Sequence, residues 1–439
     1  MKSRPFFANP LVALLGGALI GCGSPSGAAS ADSGGPGPSG DDRGSSDAGA
    51  GDVATATRPD PDAMGESAGP DATAIAESGS PDGAPASGTS QAWVMGYYAV
   101  WDEPANGGFY PLSAIDWGAL THVATAFYLP DGNGGLGSGS FDAATAAQII
   151  AAAHTHGKKA IASIGGSDSG ASFEGSTQSN LSKFVTSLEG LISMGYDGLD
   201  IDWEGGNLSV TQDQTLEQSL IMAIRAASPG ILLTMTAGYE NENLLDDLSF
   251  YGTVAAQLDR LNLMTYGMSG AWQGWQSWHS SPLHWNKSSS TPTGIDSSVV
   301  HYLAAHIPAS KLGVGAGFYG ECYTSPVSAP GQSLGASQVA ASDGSMAYRN
   351  IMASYYSQSA YHYDSAAQAP YLSLSASNPQ KCTYVSYEDA TSLAAKGAWV
   401  KAQGLGGVII WTISEGYMSS GASVATQNPL LEALSAAMR

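Results

Sequence analysis

Asp197-Gly198-Leu199-Asp200-Ile201-Asp202-Trp203-Glu204 is a short run of alternating character. Successive side chains of a β-strand point to opposite faces, so Asp200, Asp202 and Glu204 share one face and Ile201 and Trp203 the other. In a barrel this puts three carboxylates inside or at the mouth and sets the apolar pair against an outer helix layer.

Seven more β-rich apolar runs flank this one: Trp93–Val100, His122–Tyr128, Lys159–Ile164, Ile231–Ala237, Leu261–Tyr266, Leu312–Phe318 and Gly407–Ile413. Ala-rich amphipathic stretches lie between several of them. Asp142–His156 is closed by Gly157 and Asn180–Met194 by Gly195, both glycines suited to a helix C-terminus. Eight β-units separated mostly by helices predict an α/β fold, a (β/α)8 TIM barrel with its site at the C-terminal strand ends. A doubly wound open sheet is the alternative. The stretch from Tyr319 to Leu405 is too long for one crossover helix, so a small α+β insertion is expected between strands 7 and 8, at about 321–388.

The barrel should occupy 91–439. Residues 23–90 are Gly, Ser, Ala, Pro and Asp with almost no large apolar side chain, and cannot bury enough surface to offset their ordering entropy. They read with Cys22 as a tether over 22–90. Before it, Lys2 and Arg4 precede the apolar stretch Leu11–Ile20, the layout of an export signal over 1–21. Leu19-Ile20-Gly21-Cys22 resembles a bacterial lipobox, which would acylate Cys22 and anchor the chain to a bacterial membrane or cell surface; the plainer reading is ordinary cleavage nearby and release. Setting Cys22 aside leaves Cys322 and Cys382, an even pair that in an exported protein suggests a disulfide.

Charged residues make up only 12% of the chain and the net charge is −22. That balance argues against nucleic acid or an anionic membrane surface as partner. No apolar run reaches the ~18 residues of a membrane span.

Three crowded carboxylates cannot all ionise easily, because like charges disfavour one another, so one of them should hold a proton. A protonated acid at a barrel mouth is what cleavage of a glycosidic bond requires. On the residues alone, Asp-x-Asp-x-Glu could also bind a hard metal through oxygen, or be a structural acidic cluster.

Here the sequence resembles the family 18 glycoside hydrolases. Asp197–Glu204 fits their Asp-Gly-x-Asp-x-Asp-x-Glu signature, Ser163-Ile164-Gly165-Gly166 their third-strand Ser-x-Gly-Gly, and Met264-Thr265-Tyr266 their sixth-strand motif. Trp411 fits the eighth-strand tryptophan, while Gly96-Tyr97-Tyr98 and Gly317-Phe318-Tyr319-Gly320 fit the first and seventh strands. The resemblance spans about 92–437. It implies a chitinase that hydrolyses β-1,4 bonds between N-acetylglucosamine units with retention, without cofactor or metal, acting as a monomer on chitin or its oligosaccharides. Glu204 would be general acid and base, Asp202 would orient the substrate's acetamido group, Asp200 would be its buried partner, and Tyr266 would donate to the acetamido oxygen. Trp411 would floor the cleaved sugar's site, with Tyr97 and Ser163 behind Asp200. Met264, Gly165, Gly166, Phe127, Tyr319 and Trp272 complete the expected substrate contacts. Tyr361-His362-Tyr363-Asp364, Pro370-Tyr371 and Tyr384–Asp389 resemble the cleft-wall insertion of one subgroup.

Two departures stand out. Gly205-Gly206 replace the Tyr-Pro that many members carry, and Gly267 replaces an Asp. Trp272, Trp275, Trp278 and Trp285 could stack on sugars or pack their own loop. An endo-β-N-acetylglucosaminidase acting on N-glycans would share the Glu and Asp motif. A chitin-binding lectin on the same fold would typically lack the Glu.

Overall fold

The computed structural model describes residues 92–137, 142–288 and 290–439. The expected export signal, Cys22 and the tether lie outside the described residues.

Eight parallel strands form a closed ring: β1 (Trp93–Ala99), β2 (His122–Pro130), β3 (Lys159–Gly166), β4 (Gly198–Trp203), β5 (Leu232–Ala237), β6 (Arg260–Leu263), β7 (Leu312–Gly317) and β8 (Gly407–Trp411). Each pairs with its chain neighbours, and β1 closes the ring against both β2 and β8. The open-sheet alternative is thereby excluded. The sixth strand is shorter than its apolar run: it ends at Leu263, and Met264–Tyr266 already belong to the loop above the barrel.

Crossover helices cover the ring: α1 (Ala143–Thr155), α2 (Gly170–Met194), α3 (Val210–Ala227), α4 (Ser249–Val254), α5 (Ile295–Ala304), α6 (Ala390–Ala402) and α7 (Pro429–Met438). Asp142 caps α1 by accepting from the Thr145 N–H at 2.7 Å, and Gly157 leaves its end at φ 66°. The second helix starts ten residues before the expected Asn180, where the backbone instead kinks out of helical geometry (φ −136°). The earlier half has too few large apolar residues to show a helical stripe.

Alternation divides the core into two layers. Val94, Tyr98, Val123, Ala160, Ala162, Ile164, Leu199 and Ile201 pack outward against the helices. Met95, Tyr97, Ala124, Ala126, Ile161 and Ile409 fill the lumen, bordered by Phe127, Tyr266 and Trp411.

Between β7 and β8 the chain builds a five-stranded antiparallel sheet, in the order Val339–Ala341, Glu321–Thr324, Cys382–Ser386, Ala369–Ser373, Tyr361–Asp364, with a short helix Tyr348–Ser354. A disulfide joins Cys322 to Cys382 across adjacent strands, with Cα atoms 5.2 Å apart. No helix among the described residues is long and apolar enough to cross a membrane.

Candidate active site

The β4 register sets the site. Asp200 lies beside Ser163 of β3 and Thr234 of β5, and Asp202 beside Gly165. Asp200 is fully buried and accepts from three hydroxyls: Tyr97 at 2.7 Å, Ser163 at 2.8 Å, and Thr234. Burial lifts its carboxyl above the ordinary value, and the three donors pull it back. Asp202, one step up the same face, accepts from Thr236 at 2.6 Å. Burial, then the charges of Glu204 and Asp200, push its carboxyl well up.

Glu204 follows the last residue of β4 and is half-buried at the mouth. Burial first and the charge of Asp168 second raise its carboxyl to about 7. Three stacked carboxyls thus step from the barrel interior to the cleft, and the outermost keeps a proton close to neutrality. On the opposite face Ile201 is buried in the helix layer, and Trp203 stacks on Phe173 of α2 at 4.7 Å.

The two glycines of β3 make this possible. A Cβ on Gly165 would lie 2.1 Å from the Asp202 carbonyl oxygen, and one on Gly166 2.7 Å from the Phe127 ring; both have positive φ, 112° and 92°. Phe127 in turn stacks on Trp411, with centroids 5.5 Å apart, and Tyr97 meets Trp411 edge-on at 5.6 Å. Tyr266 is half-buried, and burial with the Asp202 and Glu204 charges holds its phenol well up, so it is a proton donor at neutral pH. Tyr319 is buried 6.1 Å from Tyr266, and Met264 is half-buried two residues before it.

Trp272 lies against Gly270 and edge-on to Trp275. Trp278 is buried and donates to the Thr293 carbonyl. Asp197 sits at the other end of β4, bonded to Lys159, His154 and the Ala160 N–H. Among the described residues no group of three or more His, Cys, Asp or Glu is disposed to hold a metal ion.

Several site residues were not singled out from sequence. Thr234 and Thr236 bear on Asp200 and Asp202, and their Thr-x-Thr alternation within Leu232–Ala237 was a readable signal. Asp343, from the insertion, accepts the Trp411 indole N–H at 3.1 Å; nothing near it in the chain announces this. Trp101 follows β1, is 48% exposed, and lies 6.2 Å from Trp411 and 6.4 Å from Phe127.

Comparison with known proteins agrees with this geometry. Residues 93–416 match the family described as Glycosyl hydrolases family 18. Chitinase A1 of Niallia circulans is 30% identical over 252 residues, covering 50% of this chain and 34% of that protein. Chitotriosidase-1 of Mus musculus is 31% identical over 258 residues, covering 54% and 53%. The chain thus matches about half or less of the length of these relatives. The crystal structure of a chitinase from Rhizomucor miehei superposes with a TM-score of 0.65 at 24% identity, covering 79% of this chain and all of that one. The eight-stranded ring, the acidic strand and the family match over 93–416 converge, and the chain belongs to glycosyl hydrolase family 18.

Proposed function

We propose that the protein is a chitinase that cleaves β-1,4 bonds between N-acetylglucosamine units with retention, using the substrate's own acetamido group as nucleophile. The observation that carries this reading is the placement of Glu204: a carboxyl raised to about 7 at the end of β4, directly above buried Asp202.

In this mechanism Glu204 gives its proton to the glycosidic oxygen as the bond breaks. The acetamido oxygen attacks the anomeric carbon and closes an oxazolinium ring, and Glu204 then takes a proton from the water that opens it. Asp202 holds the acetamido N–H and offsets the ring's positive charge, and Tyr266 donates to the acetamido oxygen. Asp200, fixed by Tyr97, Ser163 and Thr234, keeps Asp202 oriented. Trp411, with Phe127 behind it, floors the sugar that reacts, an apolar face suited to a pyranose ring. Gly165, Gly166, Met264, Tyr319 and Trp272 shape the rest of the cleft.

Glu204→Gln tests the assignment together with substrate choice. The amide is nearly isosteric but has no proton to give, and general acid catalysis contributes ~10²–10⁴-fold. Turnover of chitin oligomers should collapse by that factor while oligomer binding persists, and wild-type protein should leave fully deacetylated oligomers intact. Near-normal turnover by the variant, or equal rates on the two substrates, would sink the mechanism.

The N-terminal sequence supports export and acylation at Cys22. A Cys22→Ala variant expressed in bacteria should move from the membrane fraction to the soluble one; unchanged membrane retention would count against the anchor.

A further inference from the structure

The segment after Glu204 is where the chain departs from the family pattern, with Gly205-Gly206 in place of Tyr-Pro. What holds that segment is a pair of acids. Glu174 is buried in α2 and accepts from the backbone N–H of Asn207 at 2.5 Å and of Leu208 at 2.9 Å. Asp213 approaches from the first turn of α3. A Cβ on Gly206 would lie 2.6 Å from Glu174 Oε1 and 2.9 Å from Asp213 Oδ2, and Gly206 has φ 143°. The backbone at Gly206 therefore lies flush against the two carboxyls, where a side chain would collide with both. The start of the segment is fixed from the same direction: the Gly170 N–H donates to the Glu204 carbonyl at 2.8 Å, and the Glu204 N–H lies 3.4 Å from Ser169 Oγ. The start of α2 thus holds both the Glu204 backbone, through Ser169 and Gly170, and the loop that follows it, through Glu174.

We propose that Glu174 and Asp213 are positioning residues for Glu204: a pair of adjoining carboxyl groups that clamps the 205–208 loop and so fixes where the Glu204 carboxyl points. The role rests on Glu204 being the general acid proposed above. Burial, the like charge of Glu174 and a hydrogen bond to it raise Asp213 to about 7, so close to neutrality Asp213 still holds a proton with which to bond Glu174. The other oxygen of Asp213, Oδ1, is buried with no hydrogen-bond partner among the described residues. The neighbouring ionisable groups are acids as well: Glu217, one turn further along α3, feels the charge of Asp213, and Asp202 feels that of Glu217, while Asp168 acts on Glu204. As pH rises through about 7 the Asp213 proton is lost and with it that hydrogen bond to Glu174, and the clamp on the loop weakens.

Two measurements on the full chain test this: amide hydrogen exchange at Asn207 and Leu208, and steady-state hydrolysis of a chito-oligosaccharide. Glu174→Ala should speed exchange at both amides and cut kcat at least about tenfold, as expected for a displaced catalytic group. KM should stay within about twofold, because ground-state binding is not the interaction removed. Glu174→Gln keeps an oxygen that accepts both N–H groups and should restore slow exchange and most of kcat. Corrected for the intrinsic rise of exchange with pH, wild-type protection at both amides should drop above about pH 7 and Asp213→Asn should abolish that drop; a drop that persists in the variant would overturn the part given to Asp213. Wild-type kcat in Glu174→Ala would overturn the positioning role whether or not the loop loosens. Equal losses in the Ala and Gln variants with a lowered Tm would overturn it in favour of a general structural role. Wild-type protein that hydrolyses no chito-oligosaccharide would overturn the activity reading and the role with it, a failure visible before any variant is made.

Discussion

At Glu204 the surroundings set the working pH. The group must be protonated to act as acid, and burial with the Asp168 charge holds it to about 7, whereas an ordinary glutamate would already be ionised. Turnover should therefore fall as pH rises through about 7, and losing the Glu204 proton adds a charge that Asp202 feels. A plot of kcat against pH checks this; a plateau extending to pH 9 would place the proton elsewhere. Much of this site was legible in the chain, because Asp200, Asp202 and Glu204 alternate on one strand. Their supporting donors were less so: Thr234 and Thr236 lie thirty-four residues away on β5 and become neighbours only through strand register. Asp343 carried no signal at all, since an exposed-looking Asp-Gly-Ser turn gains its role only when the insertion lays it beside the Trp411 indole.

At the level of elements, the insertion depends on its disulfide. Cys322 and Cys382 close a loop of 60 residues, which constrains the unfolded chain by roughly 4 kcal/mol in the chain-entropy model. The bond ties the insertion's entry strand to its returning strand, and the same sheet carries Glu321, Tyr323 and Tyr384 against the loop above β6. Reduction should loosen this sheet while the barrel, which contains no part of the bond, stays folded. Long oligomers that reach the insertion should lose more turnover than short ones when the thiols are reduced and capped; equal losses would mean that the sheet takes no part in binding. The barrel strands were readable because each is a compact apolar run. The start of α2 was not, because Gly170–Gln178 has a single large apolar side chain, Phe173, and is otherwise held by contacts with the Glu204 loop, so it shows no helical stripe.

Across the whole molecule, buried acids couple folding to pH. Glu217 and Glu321 are both raised to about 8 chiefly by burial, against an ordinary value of 4.5. Their carboxyls stay protonated in the folded chain over a range where the unfolded chain has released those protons. At these two acids the folded state therefore binds more protons between about 4.5 and 8, which lowers stability as pH rises through that window, and buried His122, lowered to about 3, opposes this only below about 6.5. The overall charge works differently, since ordinary surface carboxyls have finished ionising by about pH 5 and add little slope above it. The melting temperature should consequently be lower at pH 8 than at pH 5.5, by at least a few degrees. Glu321→Gln isolates one contribution: its amide oxygen can still accept from Ser269 and Tyr323, which bond the carboxyl in the native chain, but it no longer has a proton to lose. The variant should narrow the gap between the two melting temperatures by raising the value at pH 8. A gap that is unchanged in the variant would show that Glu321 is ionised in the folded protein, and a wild-type melting temperature that rises from pH 5.5 to 8 would refute the coupling altogether.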